Sequence, residues 1–392
     1  MINFSQFLKE SALQKRLEVK RIEHSVFKGG VKDIRNSINF LKQMVRMFEG
    51  HSDTKMRLNK VYDDGVPIVC GRHPETGQFF VGSENFASGQ ICYTYADIEK
   101  FFGTDTRESK LYSIALRYVA YLEIQSIIKG TILFINEDLK TQKIGDSSYV
   151  TFQPSGRIYA VPEDTNLAKR IKAARIGIVW NYSYVGPHLY DLEISPNVDF
   201  GNMVTTRDVW SKDGSFYDLS GTATWTKTES DRVTNIVNNI DMLFASISPR
   251  VLNVLAINQL LSGYVEDFIK MTDQPKLMAK SSRAVTELIK VIEGKFNNEL
   301  IGTKHQDARL NRFAEKKIVL SFFNKNRIHL SRMFDLYSEI VSLKGMILAK
   351  LSEAEGTGFF INTSDGLKVV DDGYIAIDNI GNIVKLVDRL TI

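Results

Sequence analysis

The sequence predicts an α+β protein with a helical N-terminal segment, mixed or antiparallel sheets and a large helical insertion. Three observations carry that expectation. Apolar residues recur at helical spacing before residue 50, switch to period two from about 57, and return to helical spacing from about 231 to 353. Four short apolar runs then close the chain, at 359–361, 367–370, 374–377 and 383–387. Terminal strands separated from a β-rich body by roughly 120 helical residues usually complete the body's sheet, so the helical block reads as an insertion. The expected domains are 1–50 (helical N-terminal segment), 51–230 (α/β body), 231–353 (basic helical insertion) and 354–392 (strands completing the body).

Taken in order, Leu8, Leu13 and Leu17 suggest a first helix, which the Gly29-Gly30 pair interrupts. Ile34, Ile38, Leu41, Met44 and Phe48 mark the apolar stripe of the next. The stretch from Lys60 to Val69 reads as a strand, with a Pro- and Gly-containing turn at 73–77 and a hairpin partner at 79–82. Helices are expected at 95–102 and 108–128, and strands at 130–135, 149–152, 157–161 and 176–180. A helix at 166–174 separates the last two strands. Residues 199–230, rich in Thr, Ser and Gly around Trp210 and Trp225, suggest irregular β structure. Pro249 starts a helix in the block that follows, and the last helix runs from about 327 to 351.

Composition narrows the function class. With 43% hydrophobic and 24% charged residues the chain has an ordinary globular make-up. No run approaches the ~18 apolar residues that suggest a membrane span, and the N-terminus has no signal-peptide pattern. Two cysteines, Cys70 and Cys92, make no disulfide framework and fit a reducing compartment. The net charge of +4 is uneven: residues 276–350 hold fifteen Lys and Arg against seven Asp and Glu. Such a block suggests contact with a phosphate backbone or another polyanion, the bland alternative being a solvated helical surface. The six histidines lack metal-ligand spacing, and neither a phosphate-binding P-loop nor a Gly-x-Ser-x-Gly elbow is present.

The strand from Lys60 carries the chemistry the sequence offers. Alternation puts Lys60, Tyr62 and Asp64 on one face, and Gly65 and Pro67 change the backbone course before Ile68. An amine and a carboxylate ahead of a glycine suit a nucleotide pocket; the bland alternative is a solvated edge strand.

An ordered set of motifs then carries a resemblance. The chain reads Asp64-Gly-Val-Pro-Ile-Val69, Phe79-Phe-Val-Gly-Ser-Glu84, Gly130-Thr-Ile-Leu-Phe134, Tyr149-Val-Thr-Phe-Gln-Pro154 and Tyr159-Ala-Val-Pro162. It continues with Ile176-Gly-Ile-Val-Trp180, Asp372-Gly-Tyr-Ile375 and Val384-Lys-Leu-Val-Asp-Arg389. From about residue 57 onward it resembles proteins of T4-like bacteriophages that look like ATP-dependent nucleic-acid ligases and related covalent nucleotidyltransferases. The resemblance implies a ligase-like nucleotidyltransferase fold, with ATP and Mg²⁺ as cofactors if the site is active. In that chemistry a lysine amine attacks the α-phosphate, a second lysine balances charge on the phosphates, and carboxylates hold the metal.

Residue by residue, the resemblance implies catalytic positions at Tyr62 and Lys385, with Lys60 as a substitute amine. It implies nucleotide-binding positions at Asp64, Gly65, Glu84, Thr131, Asp372 and Arg389. The departures are pointed. Tyr62 stands where the nucleophilic lysine belongs, Glu84 replaces a lysine, Thr131 replaces a carboxylate, and Asp372 shortens a glutamate. Lys60 lies two residues from Tyr62, about 6.6 Å along an extended strand, so a bulge would be needed to bring it into register.

The expectation is a phage protein with a degenerate nucleotidyltransferase site, acting by binding a nucleotide, a nucleic acid or a partner. Residues 276–350 are its expected contact surface for nucleic acid or another phage protein. Alternatives are an active nucleotidyltransferase using Lys60, and a virion or head-assembly component. Its expected location is the host cytoplasm during infection, or the particle.

Overall fold

The computed structural model describes residues 19–51, 56–62, 64–195, 203–213, 224–271, 280–302, 305–354, 359–364, 366–369, 373–378 and 381–387. They form an α+β chain of two units. One comprises Met1–Val19, Lys55–Asp218 and Ser352–Ile392; the other comprises Lys20–Thr54 and Leu219–Leu351. Among the described residues no single helix is long and apolar enough to cross a membrane.

All the strands among the described residues lie in the first unit. In chain order they are β1 (Arg57–Lys60), β2 (Val66–Arg72), β3 (Phe79–Gly82), β4 (Ile91–Cys92), β5 (Ile127–Ile135), β6 (Lys140–Ile144), β7 (Ser147–Phe152) and β8 (Ile158–Pro162). There follow β9 (Ile176–Val185), β10 (Glu193–Ser195), β11 (Val209–Asp213), β12 (Phe360–Thr363), β13 (Gly366–Val369), β14 (Tyr374–Ile377) and β15 (Ile383–Leu386). The largest sheet has the order β10-β9-β5-β2-β3-β4, with β11 parallel to β9 and the other pairs antiparallel. A second sheet has the order β13-β12-β8-β7-β6, and a third β1-β14-β15. The closing strands therefore complete sheets begun 200 or more residues earlier: Phe360 pairs with Ala160, and Tyr374 with Lys60.

Alternation along β5 explains the layering. Ile128 and Ile132 join Ile68, Cys70, Ile178 and Trp180 under the helices Tyr95–Phe102 and Arg107–Val119. Among the residues of the other parity, Ile127 enters an apolar cluster with Val69, Tyr182 and Ile375, while Leu133 enters one with Tyr62, Phe152 and Phe359. Gly177 allows this packing, because a Cβ there would stand 2.1 Å from the Phe134 ring.

In the second unit, the helix Gly30–Phe48 packs on Pro249–Ile257, so the N-terminal helix is part of the helical block and not a separate segment. Its apolar stripe needs a partner, and the later helices supply it. Phe27 meets Phe334 and Tyr337 at ring distances of 5.2 and 5.8 Å. The Glu23 carboxylate, fully buried, accepts from Lys344 Nζ at 2.7 Å.

Three expectations need correction. The Lys60–Val69 strand is two strands in different sheets, because β1 stops at Lys60 and β2 begins at Val66. The helix expected to reach residue 128 ends at Val119; Glu123 turns left-handed (φ 55°) and the β-branched run at 127 begins β5. The polar stretch Lys140–Ile144, assigned no structure from sequence, is a largely exposed edge strand paired with β7.

Candidate functional site

A pocket of about 240 Å³ opens in the first unit between the two apolar clusters that Ile127 and Leu133 enter. Its position follows from period two on β5. Lys129 and Thr131 lie between Ile127 and Leu133, so polar side chains interrupt that face of the sheet. Val61, Tyr62 and Gly65 come from the link between β1 and β2, Pro67 from β2, and Glu84 from just beyond β3. Asn181 and Tyr182 come from β9, Ile375 from β14 and Lys385 from β15.

Lys129 is a largely enclosed cation of the pocket. Its side chain is 14% exposed and its ammonium pairs with the half-exposed Glu84 carboxylate. Nζ also lies 5.8 Å from the centre of the Tyr182 ring. Burial alone would depress the ammonium's pKa, but Tyr182 and Glu84 outweigh it and hold Lys129 above the ordinary lysine value. Lys129 is therefore a fixed positive charge at neutral pH. With Lys385 it gives the lining two cations against the single carboxylate of Glu84.

Asn181 enters through a bulge. Lys129 pairs with Tyr182 but Gly130 pairs with Trp180, leaving Asn181 as the extra residue on β9. Its main-chain oxygen accepts from the Asn59 amide of β1. Its side-chain Oδ1 is buried without a hydrogen-bond partner among the described residues. An orphaned acceptor of that kind costs about 1–3 kcal/mol unless water or a ligand donates to it. Gly65 sets the depth of the opposite wall, where a Cβ would fall 2.3 Å from Thr131 Cγ2 and 2.6 Å from Ile132 O. No larger residue fits there without moving β5.

The residues singled out from sequence divide into three groups. Tyr62, Gly65, Glu84, Thr131 and Lys385 line the pocket together. Lys60 does not: it is buried in β1 with Nζ 5.6 Å from the Tyr374 ring centre. Alternation turns Lys60 away from its neighbour Asn59, whose amide reaches the pocket wall at Asn181. Asp64 is also displaced from its expected role. Its carboxylate accepts the main-chain N–H groups of Gly156 and Arg157, at 3.0 and 2.8 Å, and so fixes the turn between β7 and β8. Asp372 and Arg389 lie outside the described residues.

Tyr62 is 1% exposed, its ring 5.8 Å from Phe359 and 6.2 Å from Tyr159. That packing gives the aromatic ring a structural role in the core. The lining does not suit a divalent cation, since its one carboxylate is already paired with Lys129. Among the described residues no group of three or more His, Cys, Asp or Glu could hold a metal. Both described cysteines are buried thiols, Cys92 being pushed up to about 11 by burial and the nearby Asp97.

Lys129, Asn181 and Tyr182 were not anticipated. Lys129 was legible in principle, two residues from Thr131 on a strand of period two. Asn181 is a lone amide in an apolar strand, and only the register of β5 against β9 shows where it points. A family model described as a family of unknown function (DUF6267) matches residues 17–392. No curated protein and no solved structure matches the chain.

Proposed function

The chain belongs to that family, and for it we propose a non-covalent nucleotide-binding role in a bacteriophage protein with a ligase-like nucleotidyltransferase fold. The observation that carries this reading is convergence. Five positions that the motif resemblance marks, Tyr62, Gly65, Glu84, Thr131 and Lys385, come from distant parts of the chain to one pocket. Lys129 adds a largely enclosed cation suited to phosphate, and Asn181 a buried acceptor suited to an amino or hydroxyl donor. A volume of about 240 Å³ takes one part of a nucleotide and leaves the remainder at the mouth.

The lost reaction follows from the same residues. A covalent step needs an uncharged amine in line with the α-phosphate. Tyr62 supplies a packed phenol, Lys60 faces elsewhere, and Lys129 is held protonated by its neighbours. The protein would act in the host cytoplasm during infection or in the particle, as a sensor or carrier of the bound nucleotide. Calorimetric titration with ATP, AMP and adenosine tests the reading. We expect ATP to bind more tightly than AMP and adenosine most weakly; equal affinities, or no heat with any of them, would remove its basis.

A further inference from the structure

We propose that the second unit carries a separate site for the phosphodiester backbone of single-stranded nucleic acid. It is an open groove of about 610 Å³ at the starts of two helices, Ser281–Gly302 and Arg327–Ala354. Arg283, Arg327 and Arg332 line it, with the hydroxyls of Ser282 and Thr286 and the side chain of Ile328.

The positive charge of residues 276–350 is unevenly compensated. Much of it is neutralised. Arg312 is clamped between Glu299 and Glu315, Lys316 pairs with Glu293 at 3.3 Å and Lys295 with Asp267 at 3.2 Å. Lys344 pairs with Glu23 at 2.7 Å and Lys350 with Glu229 at 3.1 Å. The groove is different. None of its three guanidinium groups pairs with a described carboxylate, and two of them, Arg327 and Arg332, are oriented instead by neutral acceptors. Arg332 donates to Ser246 O at 2.6 Å, and Arg327 donates to Asn324 Oδ1 at 3.1 Å and Thr286 Oγ1 at 3.4 Å. Three like charges lining one groove, with no described carboxylate in salt-bridge contact with any of them, repel one another, and a bound anion lowers their energy.

The chemistry of the lining selects the anion. Guanidinium groups offer a planar fork of donors that matches phosphate oxygens, with serine and threonine hydroxyls adding neutral donors. The helix Ser281–Gly302 begins at the groove, and its N-terminal dipole favours negative charge there. Ile328 is 68% exposed beside these groups and gives a sugar or base an apolar surface. Charged donors for phosphate next to an apolar rest for a base suit an unpaired strand, whose bases are free to leave the backbone. This inference is independent of the nucleotide pocket, which lies in the other unit.

The test uses the full chain and a labelled 12-nucleotide single strand of mixed sequence, with anisotropy read at 50 and 200 mM NaCl. The variant Arg283→Gln/Arg327→Gln removes two exposed guanidinium groups; Arg309→Gln/Lys317→Gln, on the helix Gln306–Lys325, removes the same charge elsewhere. The groove variant should bind at least tenfold more weakly at 50 mM. It should also lower the slope of log affinity against log salt by roughly 1.4, from about 0.7 per single-strand phosphate contact. The control pair should stay within twofold of the parent. Equal losses in both variants, no binding by the parent at micromolar strand, or retention only on phosphatidylserine vesicles would overturn the assignment. Thermal melting followed by circular dichroism confirms that the variants fold, and Arg283→Gln alone, at an exposed position, repeats the test with one charge removed.

Discussion

Replacing Lys129 by Met gives the proposed pocket a test whose size and sign follow from its geometry. The methionine keeps the length of the side chain and removes the charge. Lys129 is 14% exposed, so solvent screens it weakly and a phosphate beside it makes a charge-assisted hydrogen bond. Losing such a bond costs about 1.5–3 kcal/mol, which weakens ATP binding roughly 10- to 150-fold. The companion variant is Glu84→Gln, where the opposite sign is expected. Glu84 is 53% exposed and negatively charged at the mouth, so its removal should tighten ATP binding by a screened amount, about 0.5–1 kcal/mol or roughly two- to fivefold. Both are read by calorimetry at 50 mM NaCl. Because Tyr182 and Glu84 hold the Lys129 pKa above the ordinary lysine value, the parent's affinity should be flat from pH 7.5 to 9, beyond ATP's own titration. Weaker binding in Glu84→Gln would make that carboxylate a ligand contact, and unchanged binding in Lys129→Met would place the phosphates elsewhere. Either result refutes the electrostatic reasoning.

Two further outcomes concern the helical unit. Lys344→Met leaves the Glu23 carboxylate buried without its cation, and breaking a buried pair in this way costs about 3–5 kcal/mol. In a unit of this size that lowers Tm by roughly 6–20 °C, and Glu23→Met added to Lys344→Met should recover most of it. A double variant no more stable than the single one would contradict the assignment. His24 is held down to about 4, chiefly by burial, against an ordinary 6.5. A depressed histidine contributes stability fully above pH 6.5 and loses it as the pH falls toward 4. The amount is about 3 kcal/mol, so the stability gap between the parent and His24→Gln in urea should shrink by that much from pH 7.5 to 4. A pH-independent gap would show that burial does not shift this group.

Local pattern carried much of the architecture. The β2–β3 hairpin, the helix started by Pro249 and the four closing strands all follow from period and turn chemistry. Sequence failed where long-range pairing decides the outcome. Lys60 stood on the same face as Tyr62 only if one strand ran through both. Pairing of Lys60 with Tyr374 ends β1 there and removes the common face. Asp64 has the spacing of a site residue, but its partners are the main-chain N–H groups of Gly156 and Arg157, far along the chain. Asn181 reaches the pocket because of a bulge, and a bulge is a property of two strands together. By contrast, Lys129 needed only the count of two from Thr131.

The most direct measurement exposes the full chain to α-³²P-labelled ATP with Mg²⁺ and splits each sample between native filter retention and denaturing electrophoresis. Label should be retained on the native filter and chased by unlabelled ATP, with none on the denatured chain. Label surviving denaturation would mean that a nucleophilic side chain of this chain still attacks the α-phosphate, and absence of native retention would mean that the pocket holds no nucleotide. Either would contradict a site that keeps its ligand and has lost its reaction.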